Sequence, residues 1–340
     1  MVETNYTEPV ARLLDFGDCL KREKQFRDPE RDRMIQAMAK SGKMPSREEI
    51  AQLPPMPKKT ERWPNYLEDV GFTAADVPEL IRMATDSNLD NAEEDSLEVW
   101  APVHAWRSLG QLGAKDPSKV EDAIAPLIKL IERNREDDWV REEIPHVLSL
   151  IGEAAIAPLQ KALSKRSKKD WARISYSESL ERIAITHPAL KEQCVEIVAH
   201  QLEDHVRNPT ELNAFMVSTL IKLEAKGKAE VIERAYQAGR VAEEICGTWP
   251  NVQVDLGLAK ESDFSPEELK LPTPEWALPR GDRKPSADEL GLPTKYEPGE
   301  LSVAYGEGKS IFGKQKAKKK SSQGFGASKA KPSKFKKKKK

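Results

Sequence analysis

The pentapeptide Ala-Ile-Ala-Pro-Leu occurs twice, at 123–127 and at 155–159, an offset of 32 residues. Each copy follows an apolar run that closes on glycine, Val103 to Gly113 before the first and Ile144 to Gly152 before the second. Each is also followed by an amphipathic segment, Ile128 to Arg133 and Gln160 to Lys165. A repeat of this length with two helices per unit is the mark of a helical solenoid. One helix pair cannot bury its own apolar face, so neighbours stack and share a core. The expected fold class is therefore all-α.

Spacing predicts further helices on both sides. Val77, Leu80, Ile81 and Ala84 fall on one helical face behind a Thr73-to-Asp76 capping box. Val103, Trp106, Leu109 and Leu112 form another stripe, with Pro102 near the helix start and Gly113 placed to end it. Ile124, Leu127, Ile128 and Ile131 line a third. Beyond the second pentapeptide, Ile174–Ala184 with Ala189–Leu202, and Leu212–Leu223 with Ala229–Gly239, read as further pairs on helical period alone. Gly247 to Gly257 reads as a closing segment. The repeat domain is expected to span residues 63–258.

The flanks differ in kind. Residues 1–62 are charged and broken by proline, with short helices expected over Arg12–Phe26 and Asp32–Lys40 and none through Leu53-Pro54-Pro55-Met56-Pro57. They are expected to form a loosely ordered N-terminal arm. Residues 259–308 read as a Pro/Gly-rich linker. Residues 309–340 hold 14 Lys and no Asp or Glu, a low-complexity tail expected to be disordered. Removing those 14 charges from the net −1 leaves −15 on residues 1–308, an acidic body with a basic arm.

Composition excludes several classes. The three cysteines, Cys19, Cys194 and Cys246, are at least 52 residues apart, which suits neither a disulfide framework nor a paired-cysteine zinc site. Reduced thiols in a cytoplasmic protein are the simplest expectation. The first residues lack a basic start followed by an apolar run, and no apolar stretch is long enough to span a bilayer, so neither a leader nor a membrane partner is expected.

No catalytic, cofactor or metal signature emerges. Glycines 306, 308 and 313 lack the ending of a phosphate loop, and no Ser or Cys sits in a nucleophile elbow. His200 and His205 stand five apart rather than four, which turns the second ring away from a shared metal. The acidic clusters Glu93-Glu94-Asp95 and Glu136-Asp137-Asp138 fall between helices, where carboxylates also serve as caps and solvated turns. We therefore expect no enzyme, no cofactor and no metal.

Two sets of residues remain as binding candidates. Trp100, His104, Trp106, Arg107, Trp139 and Trp171 form a candidate binding surface on the repeat body, against the plainer reading that several of them fill the core. Lys318, Lys319, Lys320, Lys336, Lys337, Lys338, Lys339 and Lys340, interleaved with Phe312, Phe325 and Phe335, are candidates for a polyanion such as RNA. The tail equally suits a solubilising role or a contact with the acidic body, and these alternatives stay open.

The two Ala-Ile-Ala-Pro-Leu units, each behind a glycine-closed apolar helix, resemble HEAT-like repeats of the phycobilisome-lyase type. The stretch from Trp63 to Leu258 also resembles an uncharacterised bacterial family, on Trp100-Ala-Pro-Val-His-Ala-Trp106, Ala235-Tyr-Gln-Ala-Gly239 and Gly247-Thr-Trp249. The resemblance implies a HEAT/armadillo-type α-solenoid, and the duplicated units with no catalytic signature point to a surface that binds a protein partner. An RNA- or ribosome-associated role through the tail is the alternative, and a chromophore lyase-like activity a second one. Some members of that family end in a Cys-rich zinc motif, SEC-C. This chain has no Cys after Cys246, so a zinc site at its end is excluded.

Overall fold

A computed structural model describes residues 5–25, 28–41, 52–93, 95–133 and 138–272. By compactness the chain divides into residues 1–286 and 287–340, and the second unit lies wholly outside the described residues. The protein is all-helical, with no strand among the described residues. No described helix is long and apolar enough to cross a membrane.

The longer helices are α1 (Pro29–Ser41), α2 (Val77–Ala84), α3 (Ala101–Lys115), α4 (Glu121–Arg133), α5 (Asp138–Ile151) and α6 (Glu153–Leu163). They continue with α7 (Asp170–Thr186), α8 (Lys191–Glu203), α9 (Thr210–Lys222), α10 (Ala229–Gln237) and α11 (Trp249–Asp255). Alternate helices pack on each other. A first row runs α2, α3, α5, α7, α9, and a second runs α4, α6, α8, α10. Trp100 meets Trp139, Arg107 meets Glu143, and Gly110 lies against Val147, so α3 and α5 run parallel. Ser177 and Glu181 both meet Thr219, and Glu181 also meets Lys222, which sets α7 and α9 side by side in the same way.

The repeated pentapeptide sits at equivalent places in α4 and α6. Ala123, Ile124 and Leu127 are buried in one, and Ala155, Ile156 and Leu159 in the other. Full burial of a Leu or Ile side chain contributes about 1.5–3 kcal/mol each, which is why the spacing legible in sequence fixes these faces inward. The Thr73 box forms as expected, its hydroxyl accepting from Ala75 N–H and the Asp76 carboxylate accepting from Thr73 N–H. It caps a 3-10 turn that leads into α2. At the far end the Tyr236 hydroxyl donates to the Gly247 carbonyl at 2.7 Å, tying α10 to the closing helix α11.

One expectation about the helix ends needs correction. Gly113 does not end its helix. It lies inside α3, where an added Cβ would come within 2.7 Å of Ile151 Cγ1, so its smallness serves the approach of α5. Gly152 does end α5, at φ +76°, a backbone state that glycine adopts without a Cβ penalty. Pro145 lies within α5, which begins at Asp138.

The N-terminal residues that are described are not loosely held. Val10 and Leu13 are buried on a 3-10 turn, Cys19 is fully buried, and Glu23 is almost so. Trp63 and Tyr66 join the same core. These side chains lie on the first row of helices, so the segment is part of the packed body. The expected short helices are also redrawn, as Val10–Asp15 and Cys19–Arg22 in place of one stretch, and as Pro29–Ser41. The Lys-rich tail, and residues 273–308 of the expected linker, lie outside the described residues.

Candidate interaction surface

One edge of α3 carries His104, Arg107 and Gln111, spaced three and four apart so that they share a helix face. The N-terminal segment covers that face. His104 Nε2 lies 2.8 Å from the Gly17 carbonyl, and its Nδ1 lies 2.7 Å from the Tyr66 hydroxyl. A carbonyl only accepts, so Nε2 carries the proton and Nδ1 accepts from Tyr66. Burial, reinforced by Arg107 and Arg22, pushes the His104 imidazole down to about 4 despite the Gly17 bond, so it is neutral at physiological pH. Gln111 accepts from Tyr66 N–H at 2.9 Å and donates to the Pro64 carbonyl at 2.7 Å.

Arg107 is fully buried and joins three elements. Its Nε and Nη2 donate to Glu143 of α5, and Nη2 also donates to Glu23 at 2.8 Å. Arg62 holds the other oxygen of Glu23 at 2.9 Å, and Lys59 pairs with Glu142 and Glu143. The Trp63 ring lies 5.0 Å from the guanidinium carbon. Burial by itself would raise the Glu143 carboxyl, but the Arg107 hydrogen bonds and the charges of Arg107 and Lys59 hold it below the ordinary carboxylate value. Arg107 Nη1, Arg62 Nε and Trp63 Nε1 are buried donors that meet no acceptor among the described residues.

The same face continues on α5 and α7. Asp138-Trp139 and Asp170-Trp171 open these helices with the 32-residue offset of the pentapeptides, which places His146 and Glu178 at equivalent positions. Both are half-buried, as is Arg182 one turn on from Glu178. Burial, with the charges of Arg182, Lys59, Arg107 and Arg62, pushes the His146 imidazole down to about 2. Burial also raises the Glu178 carboxyl, against the lowering pull of Arg182. The side chains of His146, Glu178 and Arg182 take part in no hydrogen bond or ion pair among the described residues.

The residues expected to form a binding surface are only partly brought together, and not as a surface. His104, Trp106 and Arg107 are buried, because α3 is covered on both sides. Trp100 and Trp139 stack edge to face at 5.4 Å between centroids, and these two and Trp171 are half-buried against the core. Lys318, Lys319, Lys320, Lys336, Lys337, Lys338, Lys339 and Lys340 lie outside the described residues. So do Glu94, Glu136 and Asp137 of the acidic clusters.

His146, Glu178 and Arg182 were not singled out from sequence. The repeated Asp-Trp pair was the available signal, since it aligns α5 with α7 and marks which polar positions recur. His200 meets Glu203 at 3.0 Å on an exposed face, while His205 turns to the Leu202 carbonyl, so the two do not converge. No group of three or more His, Cys, Asp or Glu among the described residues is placed to hold a metal. A shallow depression of about 290 Å³ lies between α6 and α8, lined by residues including Ala157, Lys161 and His200.

No protein-family model matches the chain, and no curated protein matches it either. What the fold and this face define is an all-helical protein with a polar edge across α3, α5 and α7.

Proposed function

We propose that this chain is a HEAT-like α-solenoid that acts as a non-enzymatic, cytoplasmic scaffold and binds a protein partner along the first row. The observation that carries the reading is the polar edge itself. His146, Glu178 and Arg182 sit half-buried on adjacent helices, make no hydrogen bond or ion pair among the described residues, and keep their polar atoms open to a ligand. Stacked helix pairs present extended recognition surfaces of this kind. The test is affinity capture with tagged full-length protein and with a 1–308 truncation, each with and without nuclease. Retention of one protein partner by both forms after nuclease supports the reading. A monodisperse protein that retains no specific partner overturns it.

A second reading rests on the 14 Lys of residues 309–340, which suit RNA or ribosome association. It expects polyanion affinity that falls with salt and that weakens in the 1–308 truncation. Full-length protein with no affinity for RNA at low salt removes it.

A further inference from the structure

Parts of the protein's own chain already occupy the α3 end of the polar edge. On α3 two separate stretches of the protein's own chain, one with Gly17 and Glu23 and one with Pro64 and Tyr66, are held by three side chains. The His104 ring N–H donates to the Gly17 carbonyl, and Gln111 bonds both the Tyr66 N–H and the Pro64 carbonyl. The Arg107 guanidinium meets the Glu23 carboxylate. Together these groups read backbone and one carboxylate.

The edge continues beyond those stretches. The Arg107–Glu143 fork sets Arg107 level with Glu143, one turn before His146, and the Arg182 charge acts on His146, so the edge runs from Arg107 past His146 to Arg182, with Glu178 one turn before it. On α3 the edge is covered. On α5 and α7 the polar groups are half-buried and make no hydrogen bond or ion pair among the described residues, while the Arg182 charge acts on both His146 and Glu178. At the border, Arg107 Nη1 and Arg62 Nε are buried donors with no acceptor among the described residues.

We infer that the α5–α7 part of this edge docks an extended, carboxylate-bearing peptide segment of a partner protein, with Arg182 taking the carboxylate and His146 and Glu178 taking backbone groups. The inference rests on the scaffold reading and names the partner's chemistry. Packed helices stand about 8–10 Å apart and an extended chain advances about 3.3 Å per residue, so successive helices meet every third residue or so of such a segment. The charges favour a peptide over a nucleic acid. Lys59, Arg62, Arg107 and Arg182 surround His146, yet Glu142, Glu143, Glu178 and Glu181 line the same helices. A phosphate backbone of uniform negative charge meets repulsion from those carboxylates, whereas a peptide carries isolated carboxylates between neutral amides.

The experiment selects binders from a phage library of random linear peptides on full-length protein. It then measures one selected synthetic peptide by fluorescence anisotropy against the wild type, Arg182→Ala, Arg182→Lys and His146→Ala. The expected result is enrichment of Asp and Glu, a loss of about tenfold or more in affinity for Arg182→Ala, and partial retention for Arg182→Lys. Superimposable thermal melts confirm that the variants fold, as expected for side chains with no internal partner.

Selection without acidic enrichment, or an affinity indifferent to Arg182→Ala, overturns the inference while leaving a partner elsewhere on the scaffold. Failure of the capture experiment as well overturns both readings. Peptides that bind only after residues 43–50 are replaced by Gly and Ser assign the edge to the chain's own segment, and Arg182-dependent displacement by poly(U) assigns it to RNA. Either outcome overturns a peptide partner.

Discussion

Arg107 and Glu143, both fully buried, meet through two parallel hydrogen bonds, Nε to Oε2 at 2.6 Å and Nη2 to Oε1 at 2.5 Å. This fork joins α3 to α5, and Glu23 extends it to the N-terminal segment. A buried pair of this kind gains little over an apolar pair, but removing one partner leaves an uncompensated charge. Glu143→Ala or Arg107→Ala is expected to cost about 3–5 kcal/mol of stability, read by urea denaturation. The double substitution Arg107→Met with Glu143→Leu is expected to recover most of that loss. Singles within 1 kcal/mol of wild type, by the rough scale above, would show that the fork is not a structural requirement.

His104 makes stability depend on pH. Its folded value is about 4, below the ordinary 6.5, because burial disfavours the charged ring. Between those values the unfolded chain binds a proton that the folded chain refuses, so stability falls as pH falls from 6.5 to 4. The slope for one fully shifted group is about 1.4 kcal/mol per pH unit. His146 is shifted the same way and adds to the trend. Stability measured between pH 7 and 4.5 is expected to fall more gently in His104→Gln than in the wild type. An unchanged slope would contradict the assigned neutral state.

Gly113 is a packing residue. A Cβ there would sit 2.7 Å from Ile151 Cγ1, 3.0 Å from Val120 Cγ2 and 3.2 Å from the Ile151 backbone. Gly113→Ala is expected to destabilise by about 1–3 kcal/mol although alanine is the better helix former. Gly227→Ala, with nothing within 4 Å, is the matched control and is expected to be nearly neutral. A stabilised Gly113→Ala would mean that α3 and α5 lie further apart.

The thiols report on the N-terminal segment. Cys19 and Cys194 are fully buried, and burial pushes them up to about 12 and about 11. In native protein at pH 7.5 both are expected to resist a thiol reagent and to react on unfolding. Cys19 labelling at the rate of an unfolded thiol would restore the picture of a loose arm.

The helical body was legible because its signals are local. Period, glycine and a capping box act within one or two turns, and the second-row helices follow from Ala123–Leu127 and Ala155–Leu159. Gly113 was misread because a glycine near the end of an apolar stripe looks the same whether it terminates the helix or admits a neighbour. Only Ile151, 38 residues on, distinguishes the two. The candidate surface was misread for a related reason. His104 and Arg107 are polar residues in a helix, and their partners Gly17 and Glu23 lie 87 and 84 residues away.

By itself, then, the amino-acid sequence determined that this chain makes amphipathic helices in repeating pairs, since hydrophobic period and turn chemistry are properties of neighbouring residues. Tertiary structure alone decided that residues of the charged N-terminal segment enter the core, because Val10, Leu13, Cys19 and Glu23 gain a surface to pack on and a buried cation to pair with only once α3 and α5 lie side by side. It also decided which polar side chains are consumed inside and which, on α5 and α7, make no hydrogen bond or ion pair among the described residues.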